Sequence, residues 1–466
     1  MFKKLIQKLH PDKTALLMKQ LILVLTGLLI IDFIALNFID WQYVLVFNLA
    51  VLFLLFTLRF INLSFYLMIL LYPFIGWQLV YGSINLPYVD VVAMVVFLAW
   101  VIRKIYFWKS EKLSWYDFPG LIFMGLFVLS GVLALFNADF VLLSLKYLLR
   151  PILFFYLMFV LLPFNIIKTK KQFKTALILL IISGVIVSLF GFASVVFGGD
   201  SLFVNRAVPY TIGDFNPIGG NQNAIAEIIV ITLPLGLILL SNIKKYRNQA
   251  WFVLLLSFLL FILIMTYSRS GYLAIFLALL IFLFAKLKMN IKRSHILPIV
   301  LAITVIPILI YITFWKDVSW VQSSDVSRWT LTEISLNAIA EHPVIGNGPG
   351  SFVNLVAGTY VYVVDFGDPL DSHGFVQKIL VEQGFLGFFA FSSFLIYLFS
   401  AYIRAYLSML SSKHKVYLLA MLMMLSGILL FELFSTSYYL SRVWLPIGIT
   451  LAGIKLYSPK TLKKLI

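Results

Sequence analysis

The sequence predicts an all-α fold: a polytopic transmembrane bundle of about fourteen helices (range 12–14), with one large extracytoplasmic loop between helices 11 and 12. Three observations predict it. Of the 466 residues, 62% are hydrophobic and 12% are charged, whereas a soluble domain is about half apolar and a quarter charged. Apolar stretches of about 17 to 25 residues recur from end to end, each long enough to cross a bilayer as a helix. Lys and Arg gather in alternate connecting segments. The polar linkers expected between soluble domains of a chain this long are missing, so residues 1–466 read as a single integral membrane domain.

The chain opens on MFKKLIQKLHPDK, a basic amphipathic run. No small-residue cleavage site follows it, so it is expected to lead into a first membrane helix and not a cleavable signal peptide. Apolar periods and their breaks place helices at 20–38, 41–58, 61–81, 86–102, 118–137, 141–164, 174–197, 223–241, 250–267, 271–287, 296–314, 376–402, 416–436 and 439–457. With the N-terminus inside, 28 of the 36 Lys and Arg fall on cytoplasmic segments, among them Lys168, Lys170, Lys171 and Lys174, and the run Lys455, Lys460, Lys463 and Lys464. This is the positive-inside pattern, and it puts both termini in the cytoplasm. The net charge of +17 is thereby a topology signal and not a nucleic-acid footprint.

Two segments interrupt the series. Residues 198–222 form a Gly/Asn/Pro-rich outer loop, and residues 315–375 form the large one. In the latter, Ser327 is expected to cap a short amphipathic helix over 328–341, ended by the Gly and Pro of HPVIGNGPGSF. A second short helix is expected near 350–357. Asp371 or Ser372 is expected to cap helix 12, which puts His373 in its first turn and under the positive end of the helix dipole.

Eight cations remain for the other face: Lys146, Arg150, Arg206, Arg269, Lys316, Arg328, Lys378 and Arg442. Charges near hydrocarbon persist mostly where they have a partner or a task. Each Arg alone reads as a snorkelling or ion-paired side chain. As a set on an otherwise acidic face they suit a phosphate or pyrophosphate ligand, because the guanidinium fork donates two parallel hydrogen bonds. His373 is the one His not set aside by a cytoplasmic or helix-ending position, and a neutral imidazole there suits a general base. Paired His, Asp-rich runs and nucleotide-binding glycine motifs are not found, so neither a metal nor another cofactor is expected. The chain has no cysteine, which excludes thiol chemistry.

These residues resemble, in order, the O-antigen ligase and O-antigen polymerase superfamily of bacterial membrane proteins. The resemblance covers the chain from about residue 200 onward. An Arg-led loop comes first, from Arg206 through NPIGGNQNAIAE to a helix containing Pro234. A T-x-S-R-x-G hairpin follows at Thr266, Ser268, Arg269 and Gly271. The signature R-x14-P-x2-G-x-G occupies Arg328, Pro343, Gly346 and Gly348. His373 then precedes an E-x-G-x-x-G helix at Glu382, Gly384 and Gly387, and R-x-W-L-P closes the series from Arg442 to Pro446. Two positions depart from the family pattern: Gly374 stands where Asn is common, and Asn221-Gln222-Asn223 replaces Asn-Pro-Asn.

The resemblance implies a metal-independent, inverting glycosyltransferase at the outer face of the bacterial cytoplasmic membrane. It would transfer or polymerise glycan repeat units of a capsule, exopolysaccharide or teichuronic-type polymer from an undecaprenyl-diphosphate-linked donor to a glycan acceptor. Arg269 and Arg328 are implied to hold the diphosphate, and His373 to act on the acceptor hydroxyl. Arg206, Asn221, Asn223, Arg442 and Arg150 are further candidates for substrate contact. A flippase and a chain-length regulator are candidate partners beside the lipid bilayer, and no nucleic acid is expected. The alternatives are a ligase that moves the glycan to a lipid or protein acceptor, and a polysaccharide flippase. The flippase reading predicts internal repeats, broken helices and deep midplane charges.

Overall fold

The computed structural model describes residues 26–27, 41–81, 84–106, 114–198, 206–213, 215–287, 319–409 and 411–458. Of the expected helix at 20–38 only Thr26 and Gly27 are described, both helical, and the expected helix at 296–314 lies outside the described residues.

The described chain is a helical bundle. Its helices are α1 (Trp41–Arg59), α2 (Ile61–Leu71), α3 (Tyr88–Tyr106), α4 (Leu121–Ala134), α5 (Val141–Ile166), α6 (Lys170–Phe197), α7 (Gln222–Leu240), α8 (Tyr246–Met265) and α9 (Arg269–Leu287). They continue with α10 (Ser319–Glu341), α11 (Phe352–Gly358), α12 (Tyr360–Phe366), α13 (Phe375–Ser408), α14 (Ser412–Glu432) and α15 (Ser441–Tyr457). Among the described residues six helices are long and apolar enough to cross a membrane: α5, α6, α7, α8, α13 and most of α14. The pair α1 and α2 would make a seventh if read as one span, but it bends by 117°. Thr57 and Ser64 hydrogen-bond across that bend at 2.9 Å, so the two hydroxyls satisfy each other inside the apolar packing. Large apolar side chains such as Leu49, Leu63, Ile122, Leu142 and Phe389 stand exposed on the bundle surface. A soluble protein avoids so much exposed apolar area, whereas a lipid-facing surface requires it. The chain is a multi-pass membrane protein.

Three expected elements differ. The helix expected over 61–81 stops at Leu71: Tyr72 still has helical dihedrals (φ −56°, ψ −30°), but Pro73 after it has no N–H to extend the helical ladder. Beyond it a small antiparallel hairpin, β1 (Gln78–Tyr81) and β2 (Ile84–Pro87), rests against the 206–222 loop, with Trp77 donating its backbone N–H to Pro217 at 3.1 Å. The loop helix expected at 328–341 begins earlier, at Ser319, so Ser327 lies within α10. Instead of capping, its hydroxyl meets Tyr362 Oη at 3.1 Å. Neither Asp371 nor Ser372 caps helix 12. That helix, α13, starts at Phe375, with His373 two residues ahead of it and outside its first turn. Ser372 Oγ donates to the Gly374 carbonyl at 3.0 Å, and Asp371 is engaged by Lys378.

Long apolar faces drive the packing. α14 lies against α7 and α9, α13 against α4, and α15 against the wide-turned middle of α5. There Trp444 stacks on Phe155, with ring centroids 4.5 Å apart. The long loops gather at one end, where α6, α8 and α14 finish and α7, α9, α13 and α15 begin. This is the loop end. The opposite end carries most of the described Lys and Arg, including Arg103, Lys104, Lys168, Lys244, Lys245, Arg247, Arg404 and Lys455.

Candidate active site

A broken helix builds the site. Within α13, Gly384 has φ 61° and ψ −163°, and the segment 343–348 inserts at that point. In an unbroken helix the N–H groups of Phe385 and Leu386 would bond the carbonyls of Val381 and Glu382. Here those N–H groups donate to Pro343 (2.9 Å) and Val344 (3.1 Å) instead. The freed carbonyls of Val381 and Glu382 accept from the N–H groups of Asn347 (2.9 Å) and Gly348 (3.0 Å). The Asn347 side chain adds bonds to Ala338 and Val381 carbonyls, both at 3.0 Å. Every backbone group released by the break is therefore paired again, as apolar surroundings demand. Gly346 of P-x2-G-x-G and Gly384 of E-x-G-x-x-G serve this insertion, while Gly348 gives room to Ala138 and Ser144, and Gly387 to Gln383 and Ser130. Gly346 has φ 75°, and a Cβ there would lie 2.5 Å from the Gln383 nitrogen.

The insertion fixes α10, α11 and the start of α13 together. Beside it, Lys378 is buried and its ammonium bonds both oxygens of Asp371, at 2.5 and 2.7 Å, with Glu382 at 3.6 Å. Tyr439 lies under the same ammonium with its ring centroid 5.5 Å away. Glu382 also accepts backbone N–H groups of Gly350 and Phe352, which ties the inserted segment to α13. Lys378 is one of the outer cations of the sequence, and its i,i+4 spacing to Glu382 is the local signal for this network.

His373 sits just before α13 and beside Arg328 of α10. Burial, then the Arg328 charge, push its pKa down to about 4, against the opposing pull of Asp371. The imidazole is therefore neutral at ordinary pH. The cause differs from the helix-dipole effect expected from sequence. A neutral ring nitrogen beside a guanidinium combines a proton acceptor with a holder of negative charge.

A second group forms at the α8–α9 turn. Thr266, Tyr267 and Ser268 make a tight reversal in which Tyr267 takes φ 53°, an uncommon value for a residue other than glycine. Arg269 is thus the first residue of α9, and Arg206 lies close by with its guanidinium carbon 6.0 Å from the Tyr267 ring centroid. Burial, together with the neighbouring Arg269 charge, lowers the Arg206 pKa, while Tyr272 and Tyr267 oppose the shift. Two guanidinium groups held side by side make a strongly anion-attracting spot. Asn221 caps α7, its side chain accepting from the Asn223 N–H at 2.9 Å. Asn223 in turn accepts from Ser268 Oγ at 2.8 Å, binding the 206–222 loop to the Arg269 turn.

The structure thus pairs Arg206 with Arg269 and Arg328 with His373, both at the loop end. Arg442 stands apart, buried at the start of α15, with Nε 3.5 Å from Glu227 of α7. Glu432, closing α14, lies within electrostatic reach of both, and Ser437 stands beside the two carboxylates. Glu227 stands alone as an acid in an apolar helix, a signal of such a partner that could have been read from sequence. The Arg150 side chain lies outside the described ones. Among the described residues no three carboxylate or imidazole groups converge on a metal-sized site.

No curated protein matches the chain. Residues 252–392 match the model of a family described as O-antigen ligase. The matched stretch runs from α8 into α13, so it contains Arg269, Arg328, the inserted 343–348 segment and His373. Arg206, Asn221, Asn223 and Arg442 lie beyond it. By this match, and by the ordered motifs from Arg206 to Pro446, the chain is similar to the O-antigen ligase and polymerase family of membrane enzymes that transfer glycans.

Proposed function

We propose that this enzyme polymerises glycan repeat units carried on undecaprenyl diphosphate, at the outer face of the bacterial cytoplasmic membrane. The single observation that carries the reading is the neutral His373 beside Arg328, on a platform made rigid by the inserted segment. An acceptor hydroxyl oxygen attacks the anomeric carbon of the donor sugar. The bond from that carbon to the diphosphate oxygen breaks, and a ring nitrogen of His373 takes the hydroxyl proton. The lipid diphosphate leaves as the anion. Arg269, Arg206 and Arg328 hold that charge as it builds, an electrostatic task that needs neither metal nor cofactor. Attack from the face opposite the leaving group inverts the anomeric carbon.

The charge distribution supports the orientation. The basic end would face the cytoplasm and the loop end the exterior, where lipid-linked glycans are displayed. A flippase would deliver the donor and a chain-length regulator would act on the product. The break in α13 is a feature that a transporter also predicts, but its freed backbone groups are taken by the 343–348 segment. The family description favours one second reading, a ligase that moves the finished glycan to a lipid or protein acceptor.

The test is the glycan profile of a deletion strain complemented with Arg269→Ala, Arg328→Ala or His373→Ala. Loss of long chains is expected for each. Normal long chains with all three variants would refute the enzyme reading. Long chains that accumulate on the lipid carrier, with none on a final acceptor, would move the assignment to the ligase.

A further inference from the structure

At the loop end, beside the inserted segment, lies a pocket of about 320 Å³. One wall is the turn from α4 into α5 and the first turn of α5, which supply Asp139 and Ser144. The facing wall is the inserted segment and α11, with Asn347, Ser351, Asn354 and Thr359. Asn137 Nδ2 donates to the Gly346 carbonyl at 3.0 Å and ties the two walls together. Gly348 lets them approach, since a Cβ there would stand 2.6 Å from that of Ala138 and 2.9 Å from Ser144 Oγ.

The polar groups on these walls are mostly left to accept. Both N–H bonds of the Asn347 amide are taken by the Ala338 and Val381 carbonyls, each at 3.0 Å, so its oxygen alone can serve a ligand. Thr359 Oγ1 donates to the Leu355 carbonyl at 2.9 Å and keeps its lone pairs. The Asp139 side chain is exposed, and its carboxylate only accepts. Ser351 precedes α11 without capping it, and its oxygen is buried with no hydrogen-bond partner among the described residues. Asn354 adds an amide that can both donate and accept.

No lysine, arginine or histidine is among the lining residues. An acceptor-rich pocket calls for a ligand rich in donors, and a carboxylate in its wall repels an anion. A sugar ring that carries hydroxyls but no carboxylate or phosphate meets both conditions. Two neighbouring hydroxyls of such a ring can donate to the two oxygens of Asp139. The volume is at the lower end for a small-molecule site and has room for one ring. Phe140, exposed where it lines the pocket, offers an apolar face to the C–H side of that ring. The pocket also shares its frame with the transfer site. One turn along α5 from Leu143, the Tyr147 ring centroid lies 5.9 Å from the Lys378 ammonium, and that ammonium holds Asp371 beside His373.

We propose that this pocket holds an uncharged, hydroxyl-rich sugar residue of the glycan, away from the bond that forms. That the sugar belongs to the transferred glycan rests on the function proposed above; that the pocket takes a neutral sugar does not.

The test uses the purified full chain in phosphatidylcholine nanodiscs and reads sugar binding by saturation-transfer NMR. The probes are the methyl glycosides of glucose, galactose and mannose, with methyl glucuronide as the anion and methyl glucosaminide as the cation. At least one neutral glycoside is expected to bind saturably, and the glucuronide at least about 5-fold more weakly. Asp139→Ala with Asn354→Ala should cut neutral binding at least about 5-fold, since one hydrogen bond contributes about that factor. Asp139→Asn keeps the shape and drops the charge, so the glucuronide should then bind within about 2-fold of the neutral glycoside. Asp139 is exposed, so this variant keeps the test open should the double variant fail to fold. Asp368→Asn removes an exposed charge elsewhere in the same outer region and should leave the preference unchanged. Absence of saturable neutral binding, an unaltered preference in Asp139→Asn, or tighter binding of the glucosaminide would overturn the proposal, and would leave the transfer reading standing if His373→Ala still abolishes long chains. In the complemented deletion strain the double variant should shorten the glycan. Normal chain length with sugar binding lost would overturn the assignment of the sugar to the glycan.

Discussion

Gly384→Ala isolates the break in α13. At φ 61° and ψ −163° the residue occupies a region that side chains populate only under strain of about 1–3 kcal/mol. A Cβ at this position would also sit 2.4 Å from the Val344 carbonyl oxygen and 2.7 Å from the Ile345 nitrogen, so the inserted segment would have to move. If the helix instead runs through, four hydrogen bonds between the segments are lost and two helical ones return, a net loss of about 2 kcal/mol. Either route gives a destabilisation of about 2 kcal/mol, a clear loss for one methyl group. Denaturation of the purified protein in detergent measures the total. Hydrogen exchange over 343–350 and 381–386 shows whether the insertion has opened. Glycan transfer should fall with it, because α10, which carries Arg328, is held to α13 through this segment. Unchanged protection, with a melting temperature within about one degree of wild type, would refute the view that the break organises the site.

Three further outcomes follow from the same geometry. Arg442→Ala strips the cation from two buried carboxylates, Glu227 and Glu432, and should cost about 3 kcal/mol or more; a normal melting profile would contradict the network. Lys378→Gln leaves buried Glu382 without its ammonium and loosens Asp371 beside His373, so stability and transfer should fall together, and full transfer at reduced stability would separate the network from the site. His373, held at about 4 against an ordinary 6.5, is already neutral across the usual range, so the transfer rate should be level from about pH 5.5 to 8 and show no inflection near 6.5. Its folded-state pKa lies below the unfolded one. The folded protein therefore binds fewer protons between these values, and this contribution to stability, present above 6.5, is lost as the pH falls toward 4. Melting temperatures of wild type and His373→Gln across that window check the sign.

Composition and charge order made the architecture legible. Hydrocarbon imposes a length and an apolar composition on each span, and loop charges alternate because cations resist translocation. Most described helices accordingly fall within a few residues of where the apolar runs place them. The ordered residues Arg206, Arg269, Arg328 and His373 were legible for the same local reason, since each stands out as a charge or imidazole against an apolar background.

Partnership was not legible. Nothing between Pro343 and Gly348 announces that it fills a gap forty residues further on, because the bonds that close the gap are backbone bonds and carry no side-chain pattern. Arg442 and Arg269 look alike in sequence, each an arginine near a helix start. Packing alone puts one against Glu227 in the interior and the other beside Arg206 at the loop end. The sequence by itself determined that the chain crosses a membrane many times, which end is basic and which polar residues stand out. The tertiary structure decided which of those residues meet, because ion pairing and helix insertion depend on contacts between segments 34 to 215 residues apart in sequence, whereas hydropathy and charge are properties of each segment alone.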